Sequence, residues 1–321
     1  MANLLKKICE GSDLNISDVI SHLNTASLEY KVFTIPKKTK GVRVIAQPTP
    51  FVKIVQKTII EMLLSKFSLS EACTAYMKGK SIVDNAEAHK HNDWIFKLDF
   101  EDFFPSIKPS DLFVFFESED FFINEFDKKI LSSYLFRKNN NNLELSIGAP
   151  SSPIVSNMIM KYLDFEIINY CNSKDIIYTR YADDLTFSSN KVEVFDDLLL
   201  YINELLSKTQ SPKLRINQKK TRTVGLGRSR RITGIIITNT GELSVGRYCR
   251  KKIRAMLHRY SARTIKKNHI PYLHGMVSHM RNVEPKYYDK LLTKYGDDFF
   301  VKLAMDSYKI SKAIKEIEMA K

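Results

Sequence analysis

The stretch Tyr178-Thr-Arg-Tyr181-Ala-Asp183-Asp184-Leu-Thr-Phe-Ser188 reads as a strand, a tight turn and a second strand, with two adjacent carboxylates at the turn. An aspartate at a hairpin tip has a conformational explanation of its own, because Asp tolerates the backbone angles of a two-residue loop. A second stretch shifts the balance toward chemistry. In Trp94-Ile-Phe-Lys-Leu-Asp99-Phe100 the even positions are all apolar, so a strand there buries one face and turns Asp99 to the other, near its end. If the two stretches are neighbours in one sheet, Asp99, Asp183 and Asp184 converge into a cluster of hard oxygen donors that suits Mg²⁺ better than zinc. Two such ions about 3.5–4 Å apart are what in-line nucleotidyl transfer requires, one activating a terminal hydroxyl and the other neutralising the leaving pyrophosphate.

Outward from these strands, helical spacing marks 51–67, where Phe51, Val55, Ile59, Met62, Leu63 and Phe67 form one stripe. It recurs over 154–167 and 194–206. Strand character marks 31–46, with a turn from Pro36 to Gly41, and again 94–100, 176–189 and 231–238. The Asn139–Asn142 run predicts a loop tip. From 248 the pattern is helical, interrupted by Pro271, Pro285 and Gly296. An α+β body to about residue 245, followed by a helical bundle, is the expected organisation.

Composition narrows the class of partner. The 321 residues carry 50 Lys+Arg against 36 Asp+Glu, a net charge of +14, and are 44% hydrophobic. This is a folded chain with a polyanionic partner, nucleic acid being the commonest. The excess is concentrated: 213–231 hold eight basic residues and no acid, and 246–294 hold thirteen against Glu284 and Asp289. Tyrosines 248, 260, 272, 287 and 288 are interleaved with them, as in a surface that follows a sugar-phosphate backbone, and Arg254 and Arg259 are candidate phosphate contacts. Cys9, Cys73, Cys171 and Cys249 are far apart and form no CxxC pair, which excludes a zinc knuckle or a redox motif. The seven histidines form no metal-ligand spacing. The N-terminus lacks the apolar core of a signal peptide and no long apolar run follows, so a cytoplasmic protein without membrane contact is expected.

Lys-Leu-Asp99-Phe-Glu-Asp-Phe-Phe104-Pro-Ser, Gly148-Ala-Pro-Ser-Ser-Pro153, Tyr181-Ala-Asp183-Asp184 and Asn217-Gln-Lys-Lys220-Thr, in this order and spacing, resemble the palm of a reverse transcriptase. The resemblance is closest to the bacterial retron enzymes and extends from about residue 28 to 295. Asn85-Ala-Glu-Ala-His89 is similar to their NAxxH element, and Ile232-Thr233-Gly234 to their VTG element with Ile for Val. The resemblance implies a right-hand polymerase: residues 1–93 as N-terminal helices and fingers, 94–112 and 146–230 as palm, 113–145 as a fingers insertion, and 231–321 as a mainly helical, basic thumb.

It also implies roles. Asp99, Phe100, Asp183 and Asp184 would hold two Mg²⁺ ions, with Mn²⁺ as a substitute, and Lys220 would protonate pyrophosphate, Lys219 being its rival. Phe104 would exclude a ribose 2′-hydroxyl, while Lys38, Arg43 and the backbone at Gly148 would hold the deoxynucleoside triphosphate. Asn85, His89, Thr233, Gly234, Arg254 and Arg259 would bind RNA. In one departure, Ile147 stands where many reverse transcriptases have Gln. The implied activity is RNA-directed DNA synthesis on a cognate structured RNA, primed from an internal guanosine 2′-hydroxyl and yielding a branched RNA–DNA product (msDNA). A separate effector protein, host RNase H and a part in phage defence are implied with it. Two alternatives remain open at this point: a group II intron enzyme, for whose maturase segment the chain has no room after the thumb, and a nucleic-acid scaffold that restrains an effector.

Overall fold

A computed structural model describes residues 4–37 and 41–319. The chain divides into two compact units, Met1–Gly79 with Trp94–Thr223, and Lys80–Asp93 with Val224–Lys321.

The first unit opens with α1 (Leu4–Ser12) and α2 (Ile16–His22), then an antiparallel ribbon of β1 (Tyr30–Pro36) and β2 (Val42–Pro48), paired from Tyr30↔Pro48 to Pro36↔Val42. The expected turn lies between them, and Lys38 falls outside the described residues. Helix α3 (Pro50–Leu64) starts where the Thr49 hydroxyl accepts a bond from the Val52 amide, a cap that satisfies one orphan donor. Its stripe of Val52, Val55, Ile59 and Leu63 is buried.

After α4 (Ile82–Glu87), which belongs to the second unit, come β3 (Trp94–Asp99), α5 (Phe103–Ser106), α6 (Pro109–Ser118) and α7 (Glu125–Leu135). A short hairpin of β4 (Arg137–Asn139) and β5 (Asn142–Glu144) turns at the asparagine run. The helix expected over 154–167 is two, α8 (Ser152–Ile159) and α9 (Lys161–Asn172), joined at Met160 where ψ of −7° departs from helical geometry. Strands β6 (Ile177–Tyr181) and β7 (Asp184–Ser189) follow, then α10 (Val194–Lys208) and β8 (Arg222–Val224). The sheet order is β6-β7-β3-β8. Strand β3 was expected to bury one face, yet Ile95, Lys97 and Asp99 are buried as well as Phe96 and Leu98. Helix packing against one side of the sheet and the active-site groups on the other leave neither face to solvent.

In the second unit, β9 (Arg230–Ile232), β10 (Ile235–Ile237) and β11 (Leu243–Ser244) form a sheet in the order β11-β10-β9. The single strand expected over 231–238 is a hairpin. Thr233 and Gly234, at φ +45° and +94°, turn the chain between paired Ile232 and Ile235. Residues 80–93, expected with the fingers, belong here because they pack on that hairpin. The Thr233 hydroxyl donates to the Ile82 carbonyl at 3.3 Å, and the Arg230 guanidinium donates to the carbonyls of Asn92 and Thr238. Four helices complete the unit: α11 (Arg247–Ser261), α12 (Ile270–Val283), α13 (Pro285–Tyr295) and α14 (Asp297–Met319). Pro271 and Pro285 lie in first turns, where the missing N–H has no helical partner to lose. Among the described residues no helix is long and apolar enough to cross a membrane.

Candidate active site

The antiparallel register of β3 on β7 brings Asp99 opposite Asp184, and the two-residue β6–β7 loop puts Asp183 beside both. Residues 84 positions apart in the chain thus meet because Phe96↔Phe187 and Leu98↔Leu185 fix the pairing from the apolar side. The Phe100 amide closes the corner by donating to the Asp183 carbonyl at 3.3 Å. The Phe100 ring is buried, so this residue has only its carbonyl to offer a ligand.

Two ammonium groups balance the carboxylates. Lys220 donates to Asp99 Oδ1 at 2.6 Å from a short helical turn over Gln218–Lys220. Lys97, two residues before Asp99 on the same face of β3, reaches Asp184 Oδ2 at 3.6 Å. Even so, burial raises the Asp99 pKa against the opposing pull of Lys220. Burial, then Asp99 and Asp184, push the Asp183 carboxyl up to about 6. Burial is the first cause in both, and their mutual repulsion adds to it. Among the described residues no three His, Cys, Asp or Glu side chains form a ready-made cage. The donor chemistry nonetheless fits a divalent cation, which would displace Lys220 from Asp99.

The turn itself is strained. The positive φ, expected at an aspartate, falls on Ala182 at +56°, where a Cβ is unfavourable. Arg180, wholly buried, holds it: Nη1 donates to the Ala182 carbonyl at 3.1 Å and to Asn157 Oδ1 at 3.0 Å. Its Nε and Nη2 form a fork on Asp164, whose Oδ1 also accepts the Tyr178 hydroxyl at 2.8 Å. Sequence reasoning missed Lys97 and Arg180. Their signal was a charged residue within an otherwise apolar strand, at the i−2 or i+2 position of a buried neighbour.

The nucleotide-side candidates are arranged as follows. Phe103 is buried and stacks on Phe100 at 5.6 Å, while Phe104 is half-buried and meets Phe103 edge-on at 5.3 Å, so the adjacent rings point differently. Gly148, at φ +117°, lies so near β2 that a Cβ would meet the Ala46 carbonyl at 2.8 Å. The Ile147 carbonyl accepts from the Ala46 amide at 2.8 Å, so this position ties the ribbon to the Gly148 loop by its backbone. Arg43 is exposed on β2, on the same face as Ile45, whose methyl is the next neighbour of Gly148.

In the second unit Asn85 and His89 are fully buried. Neither side chain reaches the surface of the unit. The Thr233–Gly234 turn that α4 supports faces open space, with nothing within 4 Å of a Cβ built on Gly234. Helix α11 buries Ile253, Met256 and Leu257 and exposes Arg247, Lys251, Arg254 and His258 as a stripe, with Arg259 and the 80% exposed Tyr248 flanking it. Arg250 turns inward instead, onto buried Glu284 at 2.6 Å, which also accepts the Val245 amide and fixes the start of the helix.

A carboxylate corner of this kind, with an aromatic turn and a strained aspartate hairpin in an antiparallel sheet, defines the palm of a template-directed nucleotide polymerase. The chain matches the family model described as reverse transcriptase (RNA-dependent DNA polymerase) over residues 35–237. It is 37% identical to the retron Ec83 reverse transcriptase of Escherichia coli, over 84% of this chain and 87% of that one. The retron Ec86 and Ec73 reverse transcriptases of the same organism are 32% and 31% identical, covering 92% and 83% of this chain and 91% and 86% of theirs. The chain belongs to the retron reverse transcriptases, and is an RNA-directed DNA polymerase of the divalent-cation-dependent kind.

Proposed function

We propose that this polymerase copies part of a cognate structured RNA into DNA from the 2′-hydroxyl of a guanosine within that RNA, giving a branched RNA–DNA molecule. The observation that carries the chemistry is the Asp99↔Asp184 pair with Asp183 beside it. Two Mg²⁺ ions, or Mn²⁺ in their place, would supply activation of the attacking hydroxyl and neutralisation of the leaving pyrophosphate. Asp99, Asp183 and Asp184, with the Phe100 carbonyl, would hold them. Lys220, which donates to Asp99 in this structure, would give a proton to pyrophosphate.

Arg43, with Lys38, clamps the triphosphate, a bidentate fork and a point charge being suited to phosphate. The Gly148 backbone lies close to the same ribbon, and the Phe104 ring excludes a 2′-oxygen. In the second unit the Arg247–Lys251–Arg254–His258 stripe, Arg259 and the Thr233–Gly234 turn meet phosphates and 2′-hydroxyls, which suffice for an A-form duplex. By family resemblance the Asn85–His89 element takes part in recognising that RNA. The division into fingers, palm and thumb, a cytoplasmic site of action, template removal by host RNase H, and a defence role with a separate effector belong to the same reading by family resemblance.

Sequencing the nucleic acid that copurifies, before and after DNase and RNase treatment, tests it. The expected species is DNA joined to RNA through a 2′,5′ branch, absent from an Asp183→Asn preparation. Unbranched DNA, or RNA alone in both preparations, would overturn the reading.

A further inference from the structure

Of the non-glycine residues with positive φ, Asp13, Asp102, Asp120, Asn140 and Asp175 are of the types that tolerate it, whereas Tyr76, Ala182, Thr233 and Arg263 are not. Tyr76 and Ala182 flank one site. Tyr76 adopts φ +59°, is 53% exposed, and holds its ring 6.3 Å from that of Tyr181, the residue before the catalytic turn. A bulky residue stays in this conformation only where its surroundings over-determine it, and such strain collects at functional sites.

The surroundings here do so. The Thr74 amide donates to the Arg180 carbonyl at 2.9 Å, and the Arg180 amide to the Ala72 carbonyl at 2.7 Å, so residues 72–74 run as an added edge on β6. Asn157 Nδ2 holds the Ala75 carbonyl at 3.0 Å, while Asn157 Oδ1 accepts from the same Arg180 that braces Ala182. One buried network therefore sets both Tyr76 and the aspartate turn. Nothing in the core rewards that arrangement, because the ring it sustains is largely in solvent.

We infer that Tyr76 and Tyr181 form an aromatic platform on which the terminal nucleoside of the priming strand rests, Tyr76 being a substrate-contacting residue for primer rather than for the incoming triphosphate. The inference rests on the polymerase reading of Asp99, Asp183 and Asp184, because a terminal hydroxyl brought to Asp183 places its own nucleoside beside Tyr181 and Tyr76. A π-face serves every base, so the platform grips the end of the strand without selecting sequence.

The test uses the full chain with a defined RNA template annealed to a recessed DNA primer, and compares Tyr76→Phe with Tyr76→Asn. Asn is at ease at positive φ, so Tyr76→Asn is expected to melt no lower than the unsubstituted protein. Its Kd for the primed duplex is expected to rise about tenfold, the worth of one base–aromatic stack, with KM for the deoxynucleotide unchanged. Tyr76→Phe keeps the ring and is expected to match the unsubstituted protein in all three. A lower Tm for Tyr76→Asn, an unchanged Kd, a rise confined to the deoxynucleotide KM, or a Tyr76→Phe variant as weak as Tyr76→Asn would each overturn the platform. Primer extension by the unsubstituted enzyme, lost in Asp183→Asn, is the control that keeps a failure of the platform separate from a failure of the polymerase reading.

Discussion

The active-site corner and helix α11 treat positive charge in opposite ways. In the first, Arg180 is wholly buried on Asp164, Lys97 is buried beside Asp184, and Lys220 is bonded to Asp99. In the second, Arg247, Lys251, Arg254 and Arg259 stand in solvent along α11, and Arg250 alone of that helix's arginines is tied to a buried acid, Glu284. Catalytic carboxylates must be held in one geometry, so their counter-charges are matched by hydrogen bonds in a medium where an unpaired ion is costly. Recognition of a duplex backbone needs sign and spacing, and exposed side chains supply both while remaining free to adjust.

The sharpest break of this contrast removes one buried charge from the corner. Asp183→Asn is expected to cut deoxynucleotide incorporation to below a few per cent while leaving RNA affinity within about twofold, since the cation loses a ligand and the second unit is untouched. The same substitution should stabilise the cation-free protein at pH 8. The Asp183 pKa is raised from 3.8 to about 6, so its contribution to stability is fully present below about pH 4 and is lost as pH rises through 6. A gain of about 1–3 kcal/mol for Asp183→Asn at pH 8, vanishing near pH 4, is what thermal melts should record. For activity the direction reverses: protonation of Asp183 competes with cation binding, so incorporation should fall at acid pH, and added divalent cation should shift that fall to lower pH.

Next in size is a matched pair. Asp164→Ala leaves Arg180 buried without its partner and is expected to cost about 3–5 kcal/mol in denaturant unfolding. Arg254→Ala, in solvent, should stay within about 0.5 kcal/mol. Equal costs would dissolve the distinction between the corner and the helix.

Within the corner, Phe104→Ala should raise incorporation of GTP relative to dGTP in competition on one RNA template. Phe103→Ala, losing a ring buried against Phe100, should cost about 3–5 kcal/mol of stability and leave sugar selectivity alone. Loss of selectivity in the Phe103 variant instead would shift the gate by one residue.

The smallest effect sharpens the other side. If Arg254 and Arg259 each meet a phosphate, replacing either by Glu should flatten the dependence of log affinity on log salt by about 0.7–0.9. An unchanged slope in both would make α11 an ordinary solvated face.

Much of the corner was legible beforehand because its information is local. Alternation in 94–100 and 176–189 marks strands, and a strand carrying an acid at its end announces a site at a sheet edge. The adjacency of these strands was conditional until the register joined Asp99 to Asp184. The bend at Met160, the hairpin at Thr233–Gly234 and the attachment of 80–93 to the C-terminal unit were not legible. The last of these depends on partners distant in the chain, such as the Ile82 carbonyl that takes the Thr233 hydroxyl.

The same division separates the residues themselves. Residue type and order determined which side chains carry charge, which stretches alternate, and that Asp99, Asp183, Asp184 and Phe104 recur at a polymerase's spacing. Burial was decided only in three dimensions. Lys97 reads as solvent-facing by its place in the alternation and is interior because the sheet is covered on both sides. Asn85 and His89 read as polar contacts and are interior because α4 packs on the β9–β10 hairpin. Tyr76, unmarked in the sequence, stands at the surface because a network centred on Arg180, more than a hundred residues later in the chain, holds its backbone where no local preference would put it.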